Sequence, residues 1–310
     1  MNPNCSLAVI LVTYNRLEKL KKCLSLYEQQ SASFSTLIVI NNDSTDGTTQ
    51  FLNDWKDMTH GFNVCVKNLN ENVGGSGGFY EGQKIALSMD LDWVLLADDD
   101  AYPDKYLIEK FYAIASDMDS DVPAICTQVK NVDDTVDYSH RRVQFIKKGR
   151  LVRRNVPEQL YGNRSFEVDL FSYVGAFIRI SAMNKVGLVN PAFFIYEDDG
   201  EHSLRLKSLG NILCYPELVY IHDSGQNKDL TDDNLVTTWR DYYALRNFLF
   251  VCIKYYRLSA VILTLSHLIK ILFKKDNRQF KAMKFSAIRD AWLNHLGRHD
   301  IYRPGWSIIK

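Results

Sequence analysis

The sequence predicts an α/β protein: a mostly parallel, mixed central sheet flanked by helices, followed by a helical C-terminal region. Three observations carry this. Short apolar runs alternate with stretches of helical period through the first hundred residues. The connections are short, as in sheets built from strand–helix–strand units. Polar clusters recur at the ends of the apolar runs, where sheets of this kind bind ligands.

In order, LAVILVTY (7–14) is the first strand, and the helix after it has apolar residues at Leu17, Leu20, Leu24 and Tyr27, the α-helical period. TLIVINN (36–42) is the second strand and TTQFLNDWKDM (48–58) the second helix. FNVCVKNLN (62–70) is the third strand. The glycine-rich turn NVGGSGGF (72–79) then opens another helix, and DWVLLA (92–97) is the fourth strand. Residues 120–195 are less regular. PAICTQV (123–129) and LFSYVGAFIRI (170–180) read as strands, and the polar, basic segment between Tyr138 and Arg164 reads as a loop. EDDGEHSLRLKSLG (197–210) has acids in its first turn and glycine at its stop, a helix signature. NILCYPELVYIHDSG (211–225) is a further strand ending in a polar turn, and from about 235 the chain reads as helical. The expected division is a sheet domain over 1–230 and a helical region over 231–310.

Lys+Arg and Asp+Glu both number 37, so net charge is zero and nucleic acid is not expected as a partner. The balance hides an asymmetry: acidic clusters at 98–100, 197–201 and 229–233, and a Lys/Arg-rich 240–310. Six scattered cysteines form no CxxC pair, which argues against a thiolate metal site or a disulfide framework and fits a reducing cytosol. The N-terminus lacks a basic region before its apolar run and is not read as a signal peptide. The apolar stretch 246–273 is interrupted by Lys254, Arg257, His267 and Lys270, too often for a spanning helix. It reads either as an amphipathic surface lying on an anionic membrane or as a helical pair packed on the sheet domain.

Four polar tips at four strand ends make one site: Thr13-Tyr14-Asn15-Arg16, Asn41-Asn42-Asp43-Ser44, Asn72-Val73-Gly74-Gly75 and Asp98-Asp99-Asp100. If the chain stays extended, Asp98 and Asp100 leave on one face. Converging carboxylates repel unless a cation lies between them, and hard oxygen ligands suit Mg²⁺ or Mn²⁺. Asp43 fits a hydrogen bond to a base or ribose, and equally an Asx turn. The glycines at 74, 75, 77 and 78 miss the dinucleotide fingerprint but let a ligand approach the backbone. Asp198 and Asp199 start a helix, where a carboxylate tends to stay ionised; capping needs only one, and an ionised one suits a general base. His222 closes a strand, as a metal ligand or a structural histidine.

These motifs resemble the family-2 inverting glycosyltransferases of the GT-A fold. VTYNR, VINNDSTDGT, NLNENVGGSGGF, LLADDD, IYEDDGEHSLR and the later histidine fall in that family's order. YYALRNFLF and AIRDAWLNHLGR are similar to C-terminal elements of its bacterial rhamnosyl- and galactofuranosyltransferases. The resemblance implies that Thr13, Tyr14, Arg16 and Asp43 hold the nucleotide. The loop Asn72 to Gly78, with Asn72, Gly74 and Gly75 foremost, would touch the nucleotide or its sugar. Asp98 and Asp100 would hold Mn²⁺ or Mg²⁺ as the acids of the DxD motif, with Asp99 on the nucleotide side and His222 as third metal ligand. Asp199 would be the catalytic base, with Asp198 beside it.

The implied reaction moves a sugar from a UDP- or dTDP-linked donor to a hydroxyl of a glycan or lipid-linked glycan, in cell-surface polysaccharide (O-antigen or capsule) synthesis. The enzyme would be cytoplasmic and peripheral at the inner face of the membrane. GGSGGF and the EDD acids favour UDP-galactofuranose. Glu197 departs from the aromatic that some galactofuranosyltransferases carry there. The chain's length implies one or a few additions per acceptor. The alternatives are a dTDP-rhamnose transferase, an inactive nucleotide-sugar-binding assembly subunit, and a nucleotidyltransferase.

Overall fold

The computed structural model describes residues 5–224, 236–273 and 277–309. The expected division at 230/231 and the acidic cluster 229–233 lie outside the described residues. The elements run β1 (Leu7–Thr13), α1 (Leu17–Glu28), β2 (Thr36–Asn41), α2 (Thr48–Lys56), β3 (Asn63–Asn68), α3 (Gly74–Leu87) and β4 (Trp93–Asp98). Then follow β5 (Ala101–Pro103), α4 (Leu107–Ser116), β6 (Ala124–Asn131), β7 (Arg141–Lys147), β8 (Arg150–Asn155), β9 (Phe166–Val168), β10 (Leu170–Phe171) and β11 (Ala176–Arg179). The chain continues through α5 (Ile180–Val186), α6 (Asp198–Lys207), β12 (Ile212–His222), β13 (Val236–Thr238), α7 (Trp239–Tyr255), α8 (Arg257–Phe273), α9 (Arg278–Trp292) and β14 (Ser307–Ile309).

Among the described residues, nine strands form the main sheet, in the order β3-β2-β1-β4-β11-β6-β12-β5 with β9 also on β12. The first four are mutually parallel. β11 runs antiparallel between β4 and β6, which makes the sheet mixed. Every residue of β1 is buried, and its side chains alternate between the two faces. Leu7, Val9 and Leu11 pack in the layer of Leu20, Leu24, Leu52 and Phe111. Ala8, Ile10 and Val12 pack in the layer of Phe79, Met183 and Leu206.

α3 lies close on β1 because glycine permits it. A Cβ at Gly78 would stand 2.5 Å from Val12 Cγ1, and one at Gly74, whose φ is +76°, would stand 2.0 Å from the Phe194 carbonyl oxygen. The glycines therefore belong to the first turns of the helix, with Gly77 and Gly78 serving packing rather than an open loop.

Two expectations are corrected here. The segment Tyr138–Arg164 is not a loop: β7 and β8 form a hairpin that pairs with β10 in a second, three-stranded sheet. Lys148 and Gly149 both have positive φ (49° and 75°) between the paired Lys147 and Arg150, a two-residue type I′ geometry. Lys-Gly lacks the Asn-Gly or Asp-Gly signature, and the ribbon's basic residues hide its period. LFSYVGAFIRI likewise is two strands, not one, broken at Ser172–Gly175.

The C-terminal helices pack on the strand-end side of the sheet. Phe194 shares a buried cluster with Tyr242 and Tyr243 of α7 and Met283 of α9, its ring 5.1 Å from that of Tyr243. The α7 N-terminus carries a capping box between Thr238 and Asp241.

Candidate active site

Two connected cavities open beyond the strand ends. One, of about 360 Å³, is floored by Thr13, Asn42, Asn72, Gly74 and Asp99 and bounded by Tyr14, Trp239 and Pro304. The other, of about 540 Å³, brings Asp98 and Asp100 together with His222 and with Asp198 and Asp199. Arg16, Gly75, Asp98, Ile195 and Arg240 line both.

The acids at the end of β4 do not lie on extended chain. β4 stops at Asp98, and Asp99 and Asp100 form the turn into β5. That turn, not strand alternation, aims the side chains. Asp99 is buried and turns back to the first cavity, accepting from Thr13 Oγ1 at 2.7 Å and Arg16 Nη1 at 3.1 Å. Arg16 Nη1 also donates to Asp100. Asp100 Oδ1 lies 3.6 Å from His222 Nε2, because β12 pairs antiparallel with β5 and sets His222 opposite Ala101.

Burial, then the neighbouring Asp100 and Asp99, raise the Asp98 pKa to about 7. Burial also raises Asp99, to about 6, against the opposing charge of Arg16. Burial works against Asp100 as well, but the His222 hydrogen bond and Arg16 hold it below the usual carboxylate range. His222 is raised correspondingly: burial opposes its charge, and the hydrogen bond to Asp100 outweighs that.

Asp198 and Asp199 open α6 in different surroundings. Burial and then Asp199 raise Asp198 to about 8, with the nearby Ser76 hydroxyl opposing in part. Burial raises Asp199 too, but Arg142 and Arg153 oppose it, and its Oδ1 accepts from the Gly200 N–H at 2.6 Å. Arginines therefore face Asp199, and Asp198 faces Ser76 and Asp98.

The backbone before α6 is strained: Phe194, Tyr196 and Glu197 have φ of 67°, 65° and 67°. Such positions cost on the order of 1–3 kcal/mol each and persist when the surroundings over-determine them. Here α7 supplies the clamp. Asn247 Nδ2 donates to the carbonyls of Phe193, Ile195 and Tyr196 at 3.0, 2.7 and 3.0 Å. Arg246 Nη2 also reaches Phe193 O, at 3.1 Å. Glu197 is fixed by both oxygens to Arg153 Nη1 of β8, at 2.6 and 2.7 Å.

Asp43 is exposed at the end of β2 with φ +64°, and it is Asn42 that turns inward. Asn42 accepts from the Val73 N–H at 2.9 Å and donates to Gly74 O and Asn72 Oδ1. Tyr14 stands at the cavity mouth, 39% exposed. The sequence reading placed Asn42 in a polar tip without giving it a role of its own, and it missed His140, Arg142, Trp239 and Arg240. Arg142 and His140 sit on the segment read as a loop. Trp239 and Arg240 open the helix that carries YYALRN, and no spacing in the sequence marks them.

Residues 8–177 match the family described as glycosyl transferase family 2. The galactofuranosyltransferase GlfT1 of Mycobacterium tuberculosis is 28% identical over 233 residues, covering 72% of each chain. Among solved structures, S. aureus TarS residues 1–349 in complex with UDP gives a TM-score of 0.56 at 17% identity, over 94% of this chain and 71% of that one. A longer TarS chain gives 0.54 at 16% identity, and this chain spans only 43% of it. GalNAc-T7, solved with UDP, GalNAc and Mn²⁺, gives 0.64 at 11% identity, over 94% of this chain and 57% of that one. These three structural likenesses are of fold.

Proposed function

The chain belongs to glycosyl transferase family 2, and from that premise we propose that it moves galactofuranose from UDP-galactofuranose to a hydroxyl of a glycan or lipid-linked glycan, with inversion at the anomeric carbon. It is a glycosyltransferase, and the likeness to GlfT1 supports this sugar over rhamnose. The single observation that carries the reading is the meeting of the Asp98–Asp100 turn, His222 and the Asp198–Asp199 helix start in one cavity.

The nucleotide fits the smaller cavity, where Thr13, Asn42, Asn72 and the open backbone at Gly75 offer hydrogen bonds and Tyr14 and Trp239 offer ring faces. The diphosphate then lies at the junction, beside Arg16 and Arg240. The residues there suit a divalent ion. A buried carboxyl held at about 7 by two like neighbours gains from a cation in its place of repulsion. Asp98, Asp100 and His222 would hold it. Bound there, Mn²⁺ or Mg²⁺ would supply positive charge to offset that growing on the departing nucleoside diphosphate.

Asp199 takes the proton from the acceptor hydroxyl as that oxygen attacks the face of the anomeric carbon opposite the leaving group. Arg142 and Arg153 favour its ionised form. Asp198, with Ser76, orients the sugar. No covalent sugar–enzyme bond forms.

A donor screen tests this, reading release of UDP or dTDP from nucleotide sugars with Mn²⁺ and with a chelator. UDP-galactofuranose is expected to turn over only with the metal. Turnover of a dTDP-sugar instead overturns the donor, and full turnover in chelator overturns the metal.

The acceptor side extends to an anionic membrane surface. No helix among the described residues is long and apolar enough to cross a membrane. α8 nonetheless exposes Leu258, Leu265, Ile269, Leu272 and Phe273, the last two by 73% and 81%. The hairpin tip lies beside it: Ser259 Oγ donates to Gly149 O at 2.9 Å, and the tip carries exposed Ile146 with Lys147 and Lys148. An apolar stripe edged by cations is what a peripheral helix presents to anionic lipid. Flotation with anionic against neutral liposomes tests this; failure to co-float with either overturns it.

A further inference from the structure

We propose that Asp137, His140 and His222 form a ligand set for a late first-row divalent ion, so that the metal at this site meets two imidazoles as well as carboxylate. The inference rests on the preceding reading in one respect: His222 belongs to both ligand sets.

Each of the three residues offers one ligand atom, and these atoms all lie within 4.8 Å of one another. His140 Nε2 is 3.3 Å from Asp137 Oδ2. The two imidazoles stand 5.0 Å apart at 83°. Two atoms each about 2.1 Å from one ion are roughly 3.0 Å apart at right angles and roughly 4.2 Å apart in trans. The His140–Asp137 pair is already near the right-angle spacing at 3.3 Å, and the widest pair, within 4.8 Å, must close by about 0.6 Å to span an ion in trans and by more otherwise.

The surroundings orient these groups. His140 Nδ1 is 2.6 Å from Ser172 Oγ. A serine hydroxyl can accept, so the ring can carry its proton on Nδ1 and present the Nε2 lone pair to Asp137 and the cavity. Pinning the distal nitrogen of an imidazole in this way is how ligating histidines are held. Asp137 Oδ1 caps the turn over Tyr138–His140, accepting from Ser139 N at 2.9 Å and Ser139 Oγ at 2.6 Å. Capping accounts for Oδ1 and leaves Oδ2 facing His140. Nor does capping account for a second histidine brought against the first from the end of β12.

Ligand chemistry names the ion. Carboxylates and waters alone suit Mg²⁺ and Mn²⁺, whereas imidazoles favour later ions such as Co²⁺ and Zn²⁺. The site is thus expected to discriminate against Mg²⁺, which a pair of strand-end aspartates would not do alone.

The test is Co²⁺ titration of the full chain without nucleotide, followed by visible absorption, with Zn²⁺ and Mg²⁺ as competitors. Zn²⁺ is expected to displace Co²⁺ at comparable concentration and Mg²⁺ only in large excess. If Mg²⁺ competes on equal terms with Co²⁺, the two-imidazole set is overturned without recourse to any variant. His140→Asn and Asp137→Asn are each expected to weaken Co²⁺ binding at least tenfold. Affinities within twofold of the parent in both variants overturn the proposal. Asp98→Asn, titrated alongside, separates the readings. Weakening by Asp98→Asn alone leaves the strand-end metal reading standing and sinks this proposal. Weakening by the His140 and Asp137 variants alone does the reverse.

Discussion

Asn247→Ala tests whether α7 holds the catalytic segment in place. The Asn247 amide has two protons and meets three carbonyls, those of Phe193, Ile195 and Tyr196. Arg246 also covers Phe193 O, so the substitution strips Ile195 O and Tyr196 O. It also removes the Oδ1 that accepts from Arg246 Nε at 2.8 Å. At about 1–1.5 kcal/mol for each stripped carbonyl and about 1.5 for the charged bond, the loss is about 4 kcal/mol. Unfolding entropy of about 2.1 cal/mol/K per residue converts that to a fall in Tm of roughly 6 °C. The segment released carries three residues of positive φ and leads directly into Asp198 and Asp199. Relaxation of that strain displaces the base, and a misplacement of about 1 Å costs on the order of a hundredfold in rate. The expected result is therefore a Tm lower by several degrees, kcat at least tenfold lower at permissive temperature, and donor KM changed less than about threefold. Differential scanning calorimetry and initial-rate kinetics read all three. An Asn247→Ala protein with parental Tm and kcat would refute the clamp.

Other outcomes follow from the same structure. Asp199→Asn should lower turnover by about 10²–10⁴-fold while UDP affinity by calorimetry stays near parental, because loss of a general base acts on the chemical step; near-normal turnover removes Asp199 from that role. Gly78→Ala should destabilise by about 1–3 kcal/mol in denaturant titration, since the new Cβ would sit 2.5 Å from Val12 Cγ1; an unchanged midpoint contradicts the close packing of α3 on β1. Glu201 is buried between Arg205 and Lys254, and although burial opposes it, those cations and Tyr255 hold its pKa below the usual value. Its contribution is present above the unfolded pKa of about 4.3 and lost as pH falls from there through the lowered folded value. Glu201→Gln should flatten that acid limb of the stability profile, and an unaltered limb places the loss in other groups.

The sheet was legible where strand and helix differ in period. β1, β2 and β4 are buried along most of their length, and α1 buries Leu20, Leu24 and Tyr27 at the expected spacing. The direction of β11 was not legible: AFIR reads the same whether it runs with or against β4, and only pairing reverses it. The hairpin at Arg141–Asn155 was missed because its solvent side is basic and its turn is Lys-Gly. At the site, spacing singled out the acids that one cavity gathers, because charge at the end of an apolar run is improbable by packing alone. It misjudged how they converge, since a turn and an antiparallel β5–β12 pair aim Asp100 at His222. Asp43 and Asn42 are adjacent and chemically alike, and which of them points inward is set by a left-handed φ that composition does not disclose.

The stretch matched to the family ends at residue 177, before the helix that starts with Asp198 and before the α7 residues that brace it. The proposed base and the side chains that brace it therefore lie outside the matched block, whereas Thr13, Asp98 and Asp100 lie inside it.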